Sequence, residues 1–142
     1  MPFNQYFDNI YQRGEIMENI DYHKENIKNF ALTTMFNSKK MYRLLSDEAD
    51  NTEINEIALY GYHSMAFSSY LTMKSYYLQN DTLAHHEFDK FFDKMSQFSR
   101  EFVSSRETGH SMQWTFGYYN ELAEAFNELA DLLEIDHIEI PK

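Results

Sequence analysis

The chain contains no cysteine. It therefore has no disulfide framework, no thiolate metal ligand and no cysteine nucleophile. Proline is almost as scarce: Pro2 and Pro141 stand near the two ends, with none between. No residue in the long interior is thus bound to break a helix by removing a donor and crowding the turn before it. The four glycines are too few for the closely spaced turns of an all-β chain. No stretch approaches ~18 consecutive apolar residues, so a membrane span is not expected. The opening MPFNQYFDNIYQRG has neither the basic start nor the apolar core of a secretory leader. A cytoplasmic setting fits these absences. Positive charge is the other shortage: 12 Lys and Arg stand against 23 Asp and Glu, a net charge of −11. Binding to a phosphate backbone needs a basic face, so direct nucleic-acid binding is not expected. A basic protein partner is.

Aromatic residues are plentiful: 12 Phe, 11 Tyr and one Trp in 142 residues. Disordered chains are poor in such side chains. This length is one ordinary domain, read here as 1–142, and buries roughly two-thirds of the surface its unfolded chain exposes. The lean on Asn, Ile, Lys, Tyr and Phe, with little Ala, Gly or Arg, matches the bias of an AT-rich genome. Small acidic binding proteins are common in the phage and mobile elements of AT-rich bacteria, and that is the setting we expect.

Apolar spacing of three and four predicts helices throughout. A short one covers Pro2 to about Arg13, ended or merely weakened at Gly14. A second runs from Glu15 to Leu45 on the stripe Ile16, Ile20, His23, Ile27, Ala31, Met35, Ser38, Met41 and Leu45. The polar cluster from Ser46 to Thr52 predicts a turn, with Asp50 or Thr52 as cap. A third helix, Glu53 to Gln79, is apolar nearly all round, as a central buried helix would be. Gly61, Ser64, Ser68, Thr72 and Ser75 give it one small-residue side for close approach by a neighbour. A fourth, Thr82 to Ser105, buries Phe88, Phe91, Phe92, Met95, Phe98 and Phe102. After a loop at Arg106–His110, with Ser111 as cap, a fifth runs from Met112 to Glu134 on Trp114, Tyr118, Leu122, Phe126, Leu129 and Leu133. The tail from Ile135 alternates and is expected to lie extended on the body. Short loops make neighbouring helices antiparallel. The expected fold is all-α: an up-down antiparallel bundle of about four long helices with a short N-terminal helix.

Charge is the strongest local anomaly. From Glu107 to Pro141 there is no Lys or Arg, while Glu121, Glu124, Glu128, Asp131 and Glu134 accumulate. The first four step by three, four and three, so they share one face of the last helix. Like charges so placed repel by a few tenths of a kcal/mol per pair, and the later ones oppose the dipole at a helix C-terminus. One explanation of an arrangement that costs stability is a docking role, and these five residues are the candidate partner-binding set. A solvated face on an acidic protein is the plain alternative. Tyr60, Tyr62, Tyr70, Tyr76, Tyr77, Tyr118 and Tyr119 exceed what one small core absorbs, and tyrosine is enriched at interfaces. They point to a partner face or a homodimer.

Metal chemistry is the other candidate. Di-metal bundles use Glu-x-x-His on facing helices. Here Glu107–His110 falls in a predicted loop and Glu134–His137 straddles a helix end. His23, His63 and His85 come from three helices and would have to converge on one ion. Each is more simply a hydrogen-bonded boundary residue. Arg106 and His110 are separated by three residues, whereas HEPN-type helical nucleases space such a pair by four to six. There is no phosphate-cradling glycine loop, no nucleophile elbow and no His-Glu-x-x-His. The reading is therefore non-enzymatic: a small acidic regulator, inhibitor or adaptor that docks a basic partner through the last helix, with no cofactor expected. The alternative is a metal- or small-ligand-binding bundle built on the three histidines.

Overall fold

Four helices and no strand occur among the described residues: α1 (Pro2–Ala49), α2 (Glu56–Leu78), α3 (His86–Thr108) and α4 (Gln113–Leu133). They come from a computed structural model that describes residues 2–49, 55–80 and 83–141, with side chains at 23–47, 55–80 and 83–141. The chain is all-α, and none of its described helices is long and apolar enough to cross a membrane.

The N-terminal region is one helix, not a short helix followed by a long one. α1 continues through Gly14. An interior glycine costs about 1 kcal/mol, and neither a proline nor a capping residue follows it to end the helix. The same lack of a breaker carries α1 four residues past Leu45. The expected caps Asp50 and Thr52 lie outside the described residues, as does Thr82, where the fourth helix was expected to begin. Asn55 caps α2, its side chain accepting from the Ala58 N–H at 3.0 Å. α3 begins at His86 and runs through Arg106–Thr108, which were expected in a loop. Gly109 stops it with φ of 70°, a left-handed conformation that glycine enters without a Cβ clash. At α4 Met112 takes the cap position, and the expected cap Ser111 accepts from the Gln113 N–H at 3.2 Å.

α1 packs on α2 and α4, and α3 packs on the same two. The α3 stripe Phe88, Phe91, Phe92, Met95, Phe98 and Phe102 is buried as its spacing predicts. Each such side chain contributes about 1.5–3 kcal/mol on burial. Tyr42 of α1 stacks on Tyr119 of α4 with centroids 4.5 Å apart, and Phe98 meets Tyr119 edge-on from α3. In α1 the predicted core positions Ile27, Ala31, Met35, Ser38, Met41 and Leu45 are buried. The side chains of Ile16 and Ile20 lie outside those described.

After α4 the tail carries no helix or strand to Pro141. Ile135, Ile138 and Ile140 pack half-buried on the core. Asn127 holds this tail by two bonds: its Nδ2 donates to the Ile138 carbonyl at 3.1 Å, and its Oδ1 accepts from the Ile138 N–H at 2.8 Å.

Three expectations about burial fail. α2 is not covered all round: it buries Leu59, Ala66, Tyr70, Met73 and Tyr77, half-buries Tyr62, His63, Phe67 and Tyr76, and leaves the small-residue side exposed. Trp114 is 65 % exposed and is no part of the core. The Tyr42–Tyr119 stack draws Thr115, Tyr119, Ala123 and Ala130 inward, which rotates Trp114 out. The tyrosine surplus is largely absorbed: of the seven singled out, Tyr60 is exposed and the others are buried or half-buried.

Candidate functional site

The buried side of α4 fixes where its acids point. With Leu122, Phe126, Leu129 and Leu133 turned inward, Glu121, Glu124, Glu128 and Asp131 all face solvent. Glu134 is exposed just past them, in the left-handed conformation at φ 58°. A side chain with a Cβ is strained there, so this acid closes the helix where glycine would fit better.

The stripe is less bare than charge spacing alone implies, because α3 supplies counter-ions. Lys90 Nζ donates to both carboxylate oxygens of Glu128 at 2.8 and 2.9 Å. Lys94 lies 3.6 Å from Glu121. Asp131 meets His137 of the tail at 2.6 Å. Such exposed pairs contribute about 0–1 kcal/mol each, enough to offset repulsion within the stripe. The lysines sit along the α3 edge. Among the described residues Glu124 and Glu134 have no ion-pair partner, and the exposed Asp136 follows Glu134 at the same end; Glu139 instead lines a cleft with Lys39, Arg43 and Tyr119 on the α1 side. A shallow groove of about 590 Å³ follows the α3–α4 seam, lined by His86, Glu87, Lys90, Glu128, Asp131 and Leu132.

Trp114 extends this surface. It lies two turns before Glu121 on the same side of α4, with exposed Gly117 between them and nothing within 4 Å of a Cβ placed there. The result is an indole, a flat gap and a row of carboxylates on one helix. An indole face attracts a cation and the carboxylates bind one by charge-assisted hydrogen bonds. Composition could not reveal this, since Trp114 falls within the apolar spacing of α4.

The three histidines do not converge. The His23 imidazole bonds the Tyr76 hydroxyl. His63 Nε2 and Ser99 Oγ are 2.8 Å apart. His85 stands exposed ahead of α3, its Nδ1 facing the Leu83 carbonyl at 3.2 Å. Because α3 starts at His86, His85 has no place on its core face. His63 and Tyr76 are thirteen residues apart on α2, or about 20 Å along the axis. Among the described residues no group of three or more His, Asp or Glu could hold a metal ion. The two Glu-x-x-His matches also dissolve: His110 pairs with Glu101 at 2.7 Å and His137 with Asp131. Arg106 reaches Glu56 of α2 at 3.6 Å, which ties two helices together.

His63 and Ser99 have the separation of a base and nucleophile, a pairing hidden by their distance in sequence. Ser99 is only 5 % exposed, and no described group holds the other nitrogen of His63. Burial lowers the His63 pKa below its ordinary value, as expected for a neutral ring wedged beside Phe67 and Phe102. The bond joins α2 to α3, and no described acid stands behind the ring to orient it as a base. Burial likewise pushes the Tyr119 phenol up to about 12, with the neighbouring Tyr42 adding to the shift.

No family model, curated protein or solved structure matches the chain.

Proposed function

We propose that the chain is a single-domain, up-down antiparallel bundle that acts by binding a basic protein through the outer face of α4. Pairing along the helices supports the up-down order. Numbers on α1 rise as those on α2 fall: His23 with Tyr76, Phe30 with Ser69, Lys40 with Tyr62. The same reversal relates α3 to α4 through Lys90–Glu128, Phe91–Phe126 and Phe98–Tyr119.

The observation that carries the binding role is the exposed Trp114 in line with Glu121, Glu124, Glu128 and Asp131. Trp is among the residues that dominate binding energy at interfaces. An arginine- or lysine-rich surface is complementary to the whole row. The protein is then a non-enzymatic regulator, inhibitor or adaptor, active in the cytoplasm, in the setting of a phage or mobile element. The alternative of a metal- or ligand-binding bundle on His23, His63 and His85 draws no support from their separate environments. Truncation separates the components of binding. Trp114→Ala should weaken the complex about tenfold or more without changing its salt dependence. Neutralising the four acids should weaken it and flatten the salt dependence. Binding that survives both changes rules out this face.

A further inference from the structure

The outward face of α2 is the most unusual surface outside α4. Ile57, Tyr60, Met65, Leu71 and Leu78 are 46 to 86 % exposed. From Ile57 to Leu78 the one formally charged residue is Lys74. A quarter of the whole chain is charged, so a solvent-facing helix side with so little charge needs an explanation. We propose that two copies of this chain associate through this face, α2 against α2, antiparallel about a two-fold axis at Ser68.

The first argument is symmetry. The exposed small residues Gly61, Ser64, Ser68, Thr72 and Ser75 step by three, four, four and three. The pattern reads the same in both directions from Ser68. In an antiparallel pair, Gly61 faces Ser75 of the second copy, Ser64 faces Thr72, and Ser68 faces itself. Small side chains meet along the whole seam, allowing helix axes to approach to about 8 Å. Met65 and Leu71 lie three residues either side of Ser68, so each flanks the other's counterpart. Ile57 and Leu78 close the two ends. A two-fold contact demands a surface complementary to itself, and this stripe has that property.

Charge is the second argument. Two chains of −11 each repel over most of their surface. From Ile57 to Leu78 α2 itself contributes no carboxylate, and Asp89 and Asp93 of α3 reach only its edge beside Lys74 and Leu78, so its outward side is where they can meet. The area is sufficient, though modest: the five large apolar side chains leave about 600 Å² open per copy, so the pair buries on the order of 1,200 Å², the lower end for a specific interface. The dimer is therefore concentration-dependent. The backbone of α2 packs beside α1 and α3 and not beside α4, so dimerisation leaves the acidic face of each copy open. One dimer presents two docking faces.

Sedimentation velocity on the full chain from about 1 µM to about 500 µM is the test, at about 50 and about 500 mM salt. The expected result is a monomer–dimer equilibrium that tightens as salt screens the mutual repulsion. Ser68→Glu places two carboxylates at the axis and should raise the dimer Kd at least tenfold, with helicity by circular dichroism unchanged. Gln113→Glu adds the same charge on α4 and should leave the dimer intact. Because the parent chain has no thiol, Ser68→Cys under added oxidised glutathione, which takes the two electrons, should form a covalent dimer, which needs Cα atoms within about 7 Å; Gln113→Cys should not. A chain that stays monomeric throughout the range overturns the proposal, as does a dimer indifferent to Ser68→Glu. Failure here is distinct from failure of the α4 reading, because salt strengthens this contact and weakens that one.

Discussion

Asn127→Ala removes both bonds that hold the tail against α4 and so releases the segment carrying Asp136 and His137 beside the acidic face. The bonds measure 3.1 and 2.8 Å and both are half-buried. A hydrogen bond of this kind contributes about 0.5–1.5 kcal/mol net, which sets a ceiling of about 3 kcal/mol for the pair. Water reaches the freed Ile138 groups once the tail lifts, so the expected loss is about 1–2 kcal/mol. Urea unfolding measures it. Hydrogen exchange locates it: the Ile138 amide should exchange at least tenfold faster in the variant, with a much smaller change at amides in the middle of α3. Asn127→Asp keeps the acceptor for the Ile138 N–H and loses the donor, and should show an intermediate effect. Unchanged protection at Ile138 in the alanine variant would refute the clamp, and equal losses at Ile138 and throughout α3 would mean that Asn127 supports the core instead.

Thr34 Oγ1 is fully buried with no hydrogen-bond partner among the described residues, and the carbonyl one turn back at Phe30 already accepts from Ser69. Thr34→Val should therefore be neutral or stabilise by up to about 1 kcal/mol in urea unfolding, whereas Thr→Val at a satisfied buried hydroxyl destabilises. Glu134→Gly relieves a left-handed residue and should raise stability by about 0.5–1 kcal/mol; it should also weaken partner binding if this acid belongs to the docking set. Burial lowers the His63 pKa, so the unfolded chain takes up this proton first as pH falls. Above the ordinary value of 6.5 the group has no effect on stability; below it the folded state loses ground until pH passes the lowered value. His63→Gln should show a shallower fall in Tm with acidification than the parent chain, and parallel curves would show that His63 is not the group responsible.

Much of the helical layout was legible, because helix boundaries follow local rules. The α3 stripe of phenylalanines is strictly periodic, and its burial needed no knowledge of its neighbours. Gly109 and Asn55 end and begin helices by their own conformational and hydrogen-bonding preferences, although Asn55 was passed over for nearer-looking caps. Gly14 misled because a glycine inside a helix carries a cost but not a stop. Facing was harder where a helix is apolar on more than one side. α2 has no charged face to mark its outside, only small Ser and Thr side chains, so its composition read as central burial. α4 has an apolar arc wide enough for two rotations, and contact with Tyr42 chose between them, which put Trp114 outside. The acidic face was legible from the absence of Lys and Arg between Glu107 and Pro141. Its counter-ions were not, since Lys90 and Lys94 come from α3. The histidines gave no sign that they occupy three environments, because only the tertiary pairing of Tyr76 and Ser99 separates them.

Affinity capture from host lysate, run with increasing salt on the parent chain beside a Glu121→Gln, Glu124→Gln, Glu128→Gln, Asp131→Asn variant, tests the docking role most directly. Mass spectrometry of the bound fraction should find one dominant basic protein on the parent chain, released as salt rises, and little of it on the variant at any salt. A clean column on the parent chain, or the same protein held equally by both and indifferent to salt, would contradict docking through the acidic face of α4.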